Sequence, residues 1–395
     1  MDGNNINIIK KKGIYIYPGS NTEFTGVNKK INDQIKALSD WFDVDMIVLE
    51  KENADVMHKI LWRMPFGSWG AKYDEILNTL RLETEQRKFD FIYIRAQALD
   101  KRYIGFLKRL REYHSSALIL LEMPTFPYDK EYLQNWAMWP WFFKDRVYRR
   151  KMRKYINRIV TFTDDMKIFG IDTIRTCNGI CVGDITMPER NEWDVNGPQS
   201  VNLLAVARFQ KSHGYERIIR GLSEYYSGNY TITVALHMVG DGPERKRYER
   251  LVSEYKLQKY VLFYGTLTGK ELEKVYAIAD MGMGCFGLFK RGINKSSALK
   301  IREYLAYGLP VVSGVNEDAF TKGCEFFFEL PNNRSIISIK DIIQFYFGLT
   351  RRYNRLNMNH LIREYARKNL DVSVTMWPII EYLAENMNIQ EEKKK

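Results

Sequence analysis

The chain has 395 residues, of which 45% are hydrophobic and 14% aromatic, and this composition indicates a folded protein of about two domains rather than a disordered one. The 60 basic and 48 acidic residues leave a formal net charge of +12, which favours an anionic partner such as nucleic acid, an anionic membrane surface or a phosphorylated small substrate. The four cysteines form no CxxC pair or zinc spacing, and no run approaches the roughly 20 apolar residues of a membrane-spanning helix, so we expect a cytoplasmic protein that is soluble or peripheral to a membrane.

Strand and helix patterns alternate through the first half of the chain. GIYIYP (residues 13–18) predicts a strand, and GVNKKINDQIKALSDWF predicts an amphipathic helix after a Gly-containing turn. Further predicted strands are VDMIVLE, FDFIYIRA, SALILLE and RIVTFTDD. This alternation predicts a parallel sheet with helices on both faces. Glu122 ends one of these strands before Pro124, where it could be an acceptor base, with a turn or capping role as the favoured alternative.

An aromatic and basic segment, WAMWPWFFKDRVYRRKMRKYINRIV, spans residues 136–160. Between 144 and 158 it carries eight basic residues and one acid, a net charge of 8 − 1 = +7. An apolar stripe at helical spacing is formed by Tyr148, Met152, Tyr155, Ile156 and Ile159. One interpretation of residues 136–158 is a segment that lies on an anionic membrane. The alternative is a helix that packs on the first sheet with its basic face in water.

The second half begins after a polar stretch, residues 183–200, which we interpret as a linker. Strands VNLLAVAR, YTITVALHMVG, VLFYG and MGMGCFG then alternate with helical patterns. The sequence therefore predicts two α/β domains, residues 1–185 and 186–365. A helical segment follows at 366–390, and the final residues 391–395, EEKKK, are expected to be disordered.

A basic loop follows the first strand of the second half. In AVARFQKSHG, the residues Arg208, Lys211 and His213 come directly after the strand and before the next helix. Ligands bind at the carboxyl ends of strands in open parallel sheets. A guanidinium there can grip a phosphate through two hydrogen bonds, and a Lys or a protonated His adds positive charge. The alternative is a solvated basic loop.

The stretch NKSSALKIREYLAYGLPVVSG (residues 294–314) predicts a short helix and a buried strand. Ser296 or Ser297 is expected to be the N-cap, and Gly308 the left-handed residue that ends the helix. Lys300 and Glu303 would then share one helix face with Ser296. A lysine, a glutamate and the free amides of a helix N-terminus suit a polyol phosphate. The alternative is a structural helix with a surface glutamate.

Residues 201–314 resemble the C-terminal domain of the retaining glycosyltransferases of family 4. The resemblance rests on VARFQKSHG, HMVGDGPE, VLFYGTL, ADMGMGCFG and REYLAYGLPVV, which occur in this order. Over residues 1–182 it rests on Thr25-Gly26, where the family tends to carry a Gly-Gly turn, and on CNGI, which is similar to the family's Asn-Gly-Ile-Asp turn. The combination RAQ…LLEMPTFPYDKE resembles bacterial enzymes that build capsule or other surface polysaccharides.

This resemblance implies the GT-B fold, in which two Rossmann-like domains face a cleft and a C-terminal helix, here 366–390, crosses back to the first domain. It implies that Arg208 binds the donor diphosphate and that Glu303 binds the ribose hydroxyls. The pyrophosphate would lie at the amides around Ser296 and Ser297, with Lys300 adding positive charge, and the base beside Tyr264-Gly265. Gly26 would lie at the donor site from the first domain.

The implied activity is transfer of a sugar from a nucleotide-diphosphate donor, with retention, to an acceptor such as a lipid-linked glycan or oligosaccharide. No cofactor and no metal are expected, because the nucleotide sugar is a substrate and cations and helix amides stabilise its leaving group. Two positions depart from the family pattern. Lys295 stands where the family usually has a sugar-binding glutamate, and His213 stands where it has a lysine, which Lys211 could replace.

These departures keep open the alternative of a catalytically decayed GT-B subunit that serves a partner. A nucleic-acid binder is less favoured than either of these classes, because the charge is concentrated in one segment and no reading motif is present. A sugar-nucleotide epimerase of similar fold is a more remote alternative.

Overall fold

The computed structural model describes residues 10–17, 26–48, 76–78, 88–96, 99–133, 136–192 and 199–387. The chain forms two compact units. The first comprises Met1–Cys177 and Thr375–Lys395, and the second comprises Asn178–Val374. The tail predicted to be disordered, residues 391–395, lies outside the described residues.

The predicted domain boundaries, 185/186 and 365/366, both fall inside the second unit. The buried side chain of Arg190 explains the first difference. Its guanidinium donates to the carbonyl oxygens of Tyr307 and Tyr276 at 2.9 Å each, so the start of the predicted linker is anchored to the second unit. At the other end, the backbone amide of Val182 donates to the Asp371 carboxylate at 3.0 Å, which keeps residues near 371 in this unit.

Within the described residues, the first unit contains a seven-stranded sheet. In chain order its strands are β1 (Lys12–Tyr17), β2 (Asp43–Val48), β3 (Phe91–Arg95), β4 (Leu118–Met123), β5 (Arg158–Thr161), β6 (Lys167–Ile168) and β7 (Ile171–Arg175). Their spatial order is β2-β1-β3-β4-β5-β7-β6, and the paired neighbours are parallel except for β6 and β7. The central strands are almost fully buried, as their continuous apolar runs predict.

The helices that accompany this sheet include Gly26–Ser39, Lys101–Tyr113, Asp129–Leu133 and Trp139–Tyr148. The C-terminal helix runs from Val372 to Asn386 and joins the first unit from Thr375 onward. There the Trp377 ring packs edge-on against Trp41, with ring centroids 5.4 Å apart. The return of the C-terminal helix to the first domain is therefore confirmed.

The segment 136–158 does not form one long helix. The α-helix Trp139–Tyr148 changes at Arg149 into a 3-10 helix, Arg149–Lys154. Met152, Ile156 and Ile159 of the predicted apolar stripe are buried in the core of the first unit. This stripe therefore packs inward, as the alternative interpretation predicted.

The second unit contains a six-stranded sheet in which all paired neighbours are parallel. In chain order its strands are β8 (Ser200–Val206), β9 (Thr233–Val239), β10 (Val261–Gly265), β11 (Met281–Met283), β13 (Val311–Ser313) and β15 (Phe327–Glu329). A separate two-stranded pair is formed by β12 (Lys295–Ser296) and β14 (Asn316–Glu317). The α-helices that accompany the six-stranded sheet include Glu216–Ser227, Arg245–Glu254, Gly269–Ile278, Leu299–Ala306, Ile339–Thr350 and Arg355–Leu370.

The spatial order of the large sheet is β10-β9-β8-β11-β13-β15. This is the doubly wound order 3-2-1-4-5-6, in which the chain reverses its direction of travel between the first and fourth strands. Here that reversal lies between β8 and β11. The crevice outside the carboxyl ends of such a pair of strands is where a ligand is expected.

Candidate active site

The loops that follow β8 and β11 are joined side by side. The backbone amide of Phe286 donates to the His213 carbonyl at 2.8 Å, and the amide of Gly287 donates to the Ser212 carbonyl at 3.1 Å. Gly214 has φ +63°, and a Cβ there would lie 2.6 Å from the Gly287 nitrogen. Glycine is therefore required at this position for both conformation and space. The two strand ends consequently present one continuous backbone surface.

His213 lies in this surface as a neutral side chain. Its Nδ1 accepts a hydrogen bond from the Gln210 backbone amide at 3.1 Å, so the proton of the neutral ring belongs on Nε2. Burial, with the positive charge of Lys300 as a second cause, lowers the pKa of His213 to about 3. The expectation that a protonated histidine adds charge here is wrong. The side chain instead supplies an Nε2–H hydrogen-bond donor.

Lys300 supplies the cation at this place. Its Nζ donates to the Gly284 carbonyl at 2.7 Å, directly after β11, and to the Tyr215 hydroxyl at 2.9 Å. The Tyr215 ring in turn stacks on the His213 ring, with centroids 5.6 Å apart and planes 11° apart. The fully buried Tyr215 thus contacts both Lys300 of the helix and His213 of the loop after β8.

The helix that carries Lys300 begins without a side-chain cap. Its N-cap is Ala298, and Ser296 belongs to β12, so the prediction of a serine cap is wrong. The Ser297 hydroxyl oxygen accepts from the Asn178 amide at 3.3 Å and from Arg302 at 3.2 Å instead. Helix amides in the first turn lack intrahelical acceptors, so a helix without a side-chain cap offers them to an anion.

The turn CNGI and the buried Arg302 brace this helix start. The Asn178 side chain donates to the Ser297 carbonyl at 2.7 Å, and Arg302 donates to the Asn178 carbonyl at 2.9 Å. Arg302 also forms an ion pair with Asp318 and is fully buried. The CNGI turn was evident from the sequence, but no bracing role of Asn178 or Arg302 was predicted, because an arginine next to Glu303 on a helix gives no signal of burial.

Glu303 lies one helical turn after Lys300 and is half-buried. Its negative charge contributes, after burial, to raising the pKa of Tyr276. The helix ends as predicted, because Gly308 has φ +75° and a Cβ there would lie 2.6 Å from the Asn359 carbonyl oxygen. The local Gly-Leu-Pro signal predicted this end of the helix, and the close approach of Asn359 adds a spatial requirement for glycine.

The carboxyl end of β10 supplies the edge predicted to border a base. Gly265 has φ +72°, and its carbonyl accepts from the Gly240 amide at 2.6 Å. The Tyr264 hydroxyl is 2.8 Å from Nδ1 of His237. Burial lowers the pKa of His237 to about 4, so this imidazole is neutral at physiological pH.

The remaining predicted site residues are more exposed. Arg208 follows β8 by two residues, and within the described parts of the chain its guanidinium has no hydrogen-bond or ion-pair partner. Lys211 is exposed in the same loop, and Lys295 is exposed in β12 opposite Asn316. Gly26 belongs to the first unit, where it is the exposed first residue of the helix Gly26–Ser39, and Thr25 lies outside the described residues.

Glu122 is not a candidate base. It lies within β4, is fully buried and receives hydrogen bonds from Lys30 at 3.0 Å, Arg95 at 2.5 Å, and Gln34 and Tyr93 at 2.8 Å each. Burial alone would raise the pKa of this carboxyl, but the charges of Lys30 and Arg95 outweigh it and lower the pKa to about 2. The carboxylate is therefore a structural anion, which neither a turn nor a capping role describes.

A second buried carboxyl, Glu317, was missed from the sequence. It is fully buried in β14 and accepts a hydrogen bond from the Ser313 hydroxyl at 3.0 Å. Burial raises its pKa to about 7, although the charges of Arg302 and Lys300 oppose the shift. Its nearness to these two cations links it to the helix start that carries Lys300.

Comparison with known proteins agrees with this arrangement. Residues 190–321, the range that carries Arg208, His213, Lys300 and Glu303, match the family model described as Glycosyl transferases group 1. The fold is that of a GT-B glycosyltransferase. The fold predicted from the sequence is thus confirmed. No curated protein matches the chain significantly.

Several solved structures share the fold over nearly the whole chain. HepE from Anabaena, in complex with UDP and glucose, has 14% sequence identity and a TM-score of 0.61, covering 95% of this chain and 100% of that one. Sucrose-phosphate synthase from Thermosynechococcus elongatus has 15% identity and a TM-score of 0.63, with the same coverage. The lipopolysaccharide outer core galactosyltransferase WaaB, in its apo form, has 13% identity and a TM-score of 0.57, covering 95% and 99% of the two chains.

None of the helices in the described parts of the chain combines the length and apolarity needed to span a bilayer.

Proposed function

We propose that the protein is a glycosyltransferase that moves a sugar, with retention, from a nucleoside-diphosphate donor to a lipid-linked or oligosaccharide acceptor in surface (capsule) polysaccharide synthesis. The observation that carries this proposal is the convergence of Lys300, His213 and an uncapped helix N-terminus at the chain reversal between β8 and β11. These groups favour the diphosphate of a donor, and they lie in the range that matches a glycosyltransferase family model.

The charge that develops on the leaving diphosphate would be stabilised by the chain itself. Arg208 offers a guanidinium, Lys300 an ammonium and His213 a neutral N–H donor, while the first-turn amides add partial positive charge. We infer that this set needs no metal ion and that the incoming hydroxyl attacks the sugar on the face that the diphosphate leaves, assisted by a phosphate oxygen. Attack on that face retains the anomeric configuration.

The donor is proposed to be a UDP-sugar. Among the structural neighbours, HepE has been solved with UDP-glucose. In this chain Glu303 follows the phosphate site by one helical turn, which suits hydrogen bonds to ribose hydroxyls, and Tyr264-Gly265 would border the base. Lys295 stands where the resembled family has a sugar-binding acid, so we leave the sugar itself open.

The acceptor is proposed to be a glycan on a lipid carrier at the inner face of the plasma membrane. The structural neighbour WaaB, a lipopolysaccharide outer core galactosyltransferase, supports a surface glycan as the product class. The resemblance of RAQ…LLEMPTFPYDKE to capsule-building enzymes supports the same class.

Incubation with a panel of nucleotide sugars tests the activity. We expect slow release of UDP from one donor, unchanged by EDTA and strongly reduced in Arg208→Ala and Glu303→Ala. Proton NMR of the product formed with a glycan acceptor then reports the anomeric configuration. UDP release that requires a divalent cation, or an inverted product, would contradict the mechanism.

The second candidate is a GT-B subunit that has lost catalysis and serves a partner. Lys295 favours it, because an ammonium cannot accept the hydrogen bonds of sugar hydroxyls. Under this candidate, calorimetry would detect UDP binding while no nucleotide sugar of the panel is turned over.

A further inference from the structure

The helix Trp139–Tyr148 is inverted relative to an ordinary surface helix. Its buried residues include Lys144 and Asp145, which lie toward the body of the first unit together with Trp141. Its exposed side includes Trp139 at 48%, Phe143 at 61% and Val147 at 59% exposure. A surface helix normally buries its apolar residues and exposes its charges. Packing within the first unit therefore gives no reason for the apolar residues on the outer face.

The exposed apolar residues form a continuous ridge. Trp139, Phe143 and Val147 are four residues apart, so they lie on one helix face within an arc of about 80°. Trp136, in the preceding 3-10 turn, extends the ridge and is 81% exposed. Two indole rings, a phenyl ring and a valine side chain in water are more than scattered surface apolar residues, and exposed patches of this kind are typical of interaction sites.

The ridge is bordered by cationic side chains. Arg146, on the same helix, is 54% exposed. The following 3-10 helix adds four exposed cations, Arg150, Lys151, Arg153 and Lys154.

Two acids lie near this border, Asp145 and Asp129, and both are ion-paired with arginines of the same segment. The only acid between 136 and 154, Asp145, is buried and accepts from the Tyr128 hydroxyl at 2.9 Å and from Arg149 at 3.3 Å. Asp129 is 2.7 Å from Arg149 and 3.4 Å from Arg146. Arg146 shares Asp129 with Arg149, while Arg150, Lys151, Arg153 and Lys154 remain exposed, so the outer border keeps a net positive charge.

We propose that this surface docks onto an anionic phospholipid bilayer. We call it the aromatic–basic surface; it consists of Trp136, Trp139, Phe143, Arg146, Val147, Arg150, Lys151, Arg153 and Lys154. Aromatic side chains insert at the depth of the lipid headgroups, and each nearby Lys or Arg is attracted to anionic lipid. A second copy of the chain is a poorer occupant, because a symmetric contact would bring two sets of cations together. The inference extends the proposed lipid-linked acceptor, since the acceptor's carrier resides in that bilayer.

Vesicle flotation of the full chain tests the proposal. We expect binding to vesicles of phosphatidylcholine with phosphatidylglycerol, weak binding to phosphatidylcholine alone, and release by 0.5 M salt. Trp139→Ser with Phe143→Ser should weaken binding to the anionic vesicles at least about tenfold, and so should Arg150→Glu with Lys154→Glu. All four side chains are exposed, so these variants should fold normally.

Matched controls change equally exposed residues elsewhere. Ile278→Ser with Leu361→Ser, and Lys259→Glu with Lys322→Glu, should bind vesicles as the wild type does. Equal binding to neutral vesicles, indifference to salt, or an equal loss in the controls would overturn the proposal. So would sedimentation showing a wild-type dimer that Trp139→Ser with Phe143→Ser abolishes.

Release of UDP from a soluble donor, measured without vesicles, separates this proposal from the proposed function. The surface variants should retain that activity. A chain that binds vesicles as described but turns over no nucleotide sugar keeps the docking surface and loses the enzymatic assignment. A chain that turns over a nucleotide sugar but does not bind anionic vesicles keeps the enzymatic assignment and loses the docking surface.

Discussion

Lys300 donates a hydrogen bond to the hydroxyl of Tyr215 at 2.9 Å, within the crevice where the proposed donor diphosphate lies. The phenol is one of two oxygen anchors that hold the ammonium group beside β11; the other is the Gly284 carbonyl. The position of this cation therefore depends on a buried aromatic residue.

Tyr215→Phe should weaken UDP binding about fivefold. The change removes one hydrogen bond to a charged group, which contributes on the order of 1 kcal/mol, while the ring remains stacked on His213. Isothermal calorimetry with UDP measures it. Tyr248→Phe, a buried ring that packs against Tyr215, is the control and should leave the affinity unchanged. An affinity of Tyr215→Phe equal to the wild type would show that the Tyr215 hydroxyl does not position Lys300 for the nucleotide.

Glu303→Ala should lower kcat/KM for the nucleotide sugar by about 30–100-fold. If Glu303 accepts hydrogen bonds from two ribose hydroxyls, its loss costs on the order of 2–3 kcal/mol. Thermal melting should change little, because the side chain is only half-buried. Glu254→Ala, at an exposed position, serves as the control. An unchanged kcat/KM would remove the ribose assignment.

His213→Gln should retain more UDP affinity than His213→Ala, because the glutamine amide can still donate a hydrogen bond. With its pKa lowered to about 3, the His213 imidazole is neutral in the folded protein across pH 5–8. The UDP affinity, measured by calorimetry across this range, should therefore follow the same pH profile in the wild type and in His213→Gln.

The same pKa gives a stability signature. Below pH 6.5, His213 binds a proton in the unfolded state but not in the folded state. The free energy of unfolding therefore falls as the pH drops from 6.5 toward 3. Urea denaturation of His213→Gln at pH 7 and 4.5 should show a smaller loss than the wild type. An equal loss would mean that His213 is solvated and titrates normally.

Lys295→Glu distinguishes phosphate binding from sugar recognition. We expect weaker binding of UDP itself, because Lys295 adds positive charge near the start of β12 and the helix that carries Lys300. Calorimetry with UDP and with the whole donor gives the comparison. If UDP binds as before while the preference among donor sugars changes, Lys295 contacts the sugar instead.

Glu317→Gln should stabilise the protein at pH 8 but not at pH 4. Since burial raises the carboxyl pKa to about 7, the folded state favours the protonated form, and its stability is lost as the pH rises through 7. Glutamine mimics the protonated carboxyl and can still accept from Ser313, so the gain at pH 8 is on the order of 3 kcal/mol. Thermal melting at the two pH values measures it. A lower melting temperature at pH 8 would show that Glu317 is held as an anion by Arg302.

The sequence predicted the elements of the second unit well because their signals are local. Apolar runs mark β8 and β9, and the Gly308-Leu309-Pro310 turn marks the end of the helix. The start of the same helix was predicted wrongly. Serine is a good cap only when its oxygen is not engaged elsewhere, and here Asn178, more than 100 residues away in the chain, engages Ser297.

The aromatic and basic segment shows the same limit. Its composition and charge were evident from the sequence. The apolar stripe predicted from helical spacing, however, includes Met152, Ile156 and Ile159, which are buried in the core of the first unit. Arg149 forms ion pairs with Asp129 and Asp145. From Arg149 the chain continues as a 3-10 helix, which has about three residues per turn, so the spacing of side chains on each face differs from that of an α-helix. The exposed ridge at Trp139 and Phe143 could only be recognised once the inner face was known.

The sequence by itself determined that the chain forms two α/β units and that Arg208 and His213 follow a strand end. It also determined that Lys300 and Glu303 lie on one helix. These features depend on periodicity and on turn residues, which act over a few positions. Only the tertiary structure decided that His213 is neutral and that Glu122 is an anion held by hydrogen bonds from four side chains. It also decided that the pKa of Glu317 is raised to about 7. A side chain's charge state depends on burial and on cations brought from distant parts of the chain, and those neighbours exist only after folding.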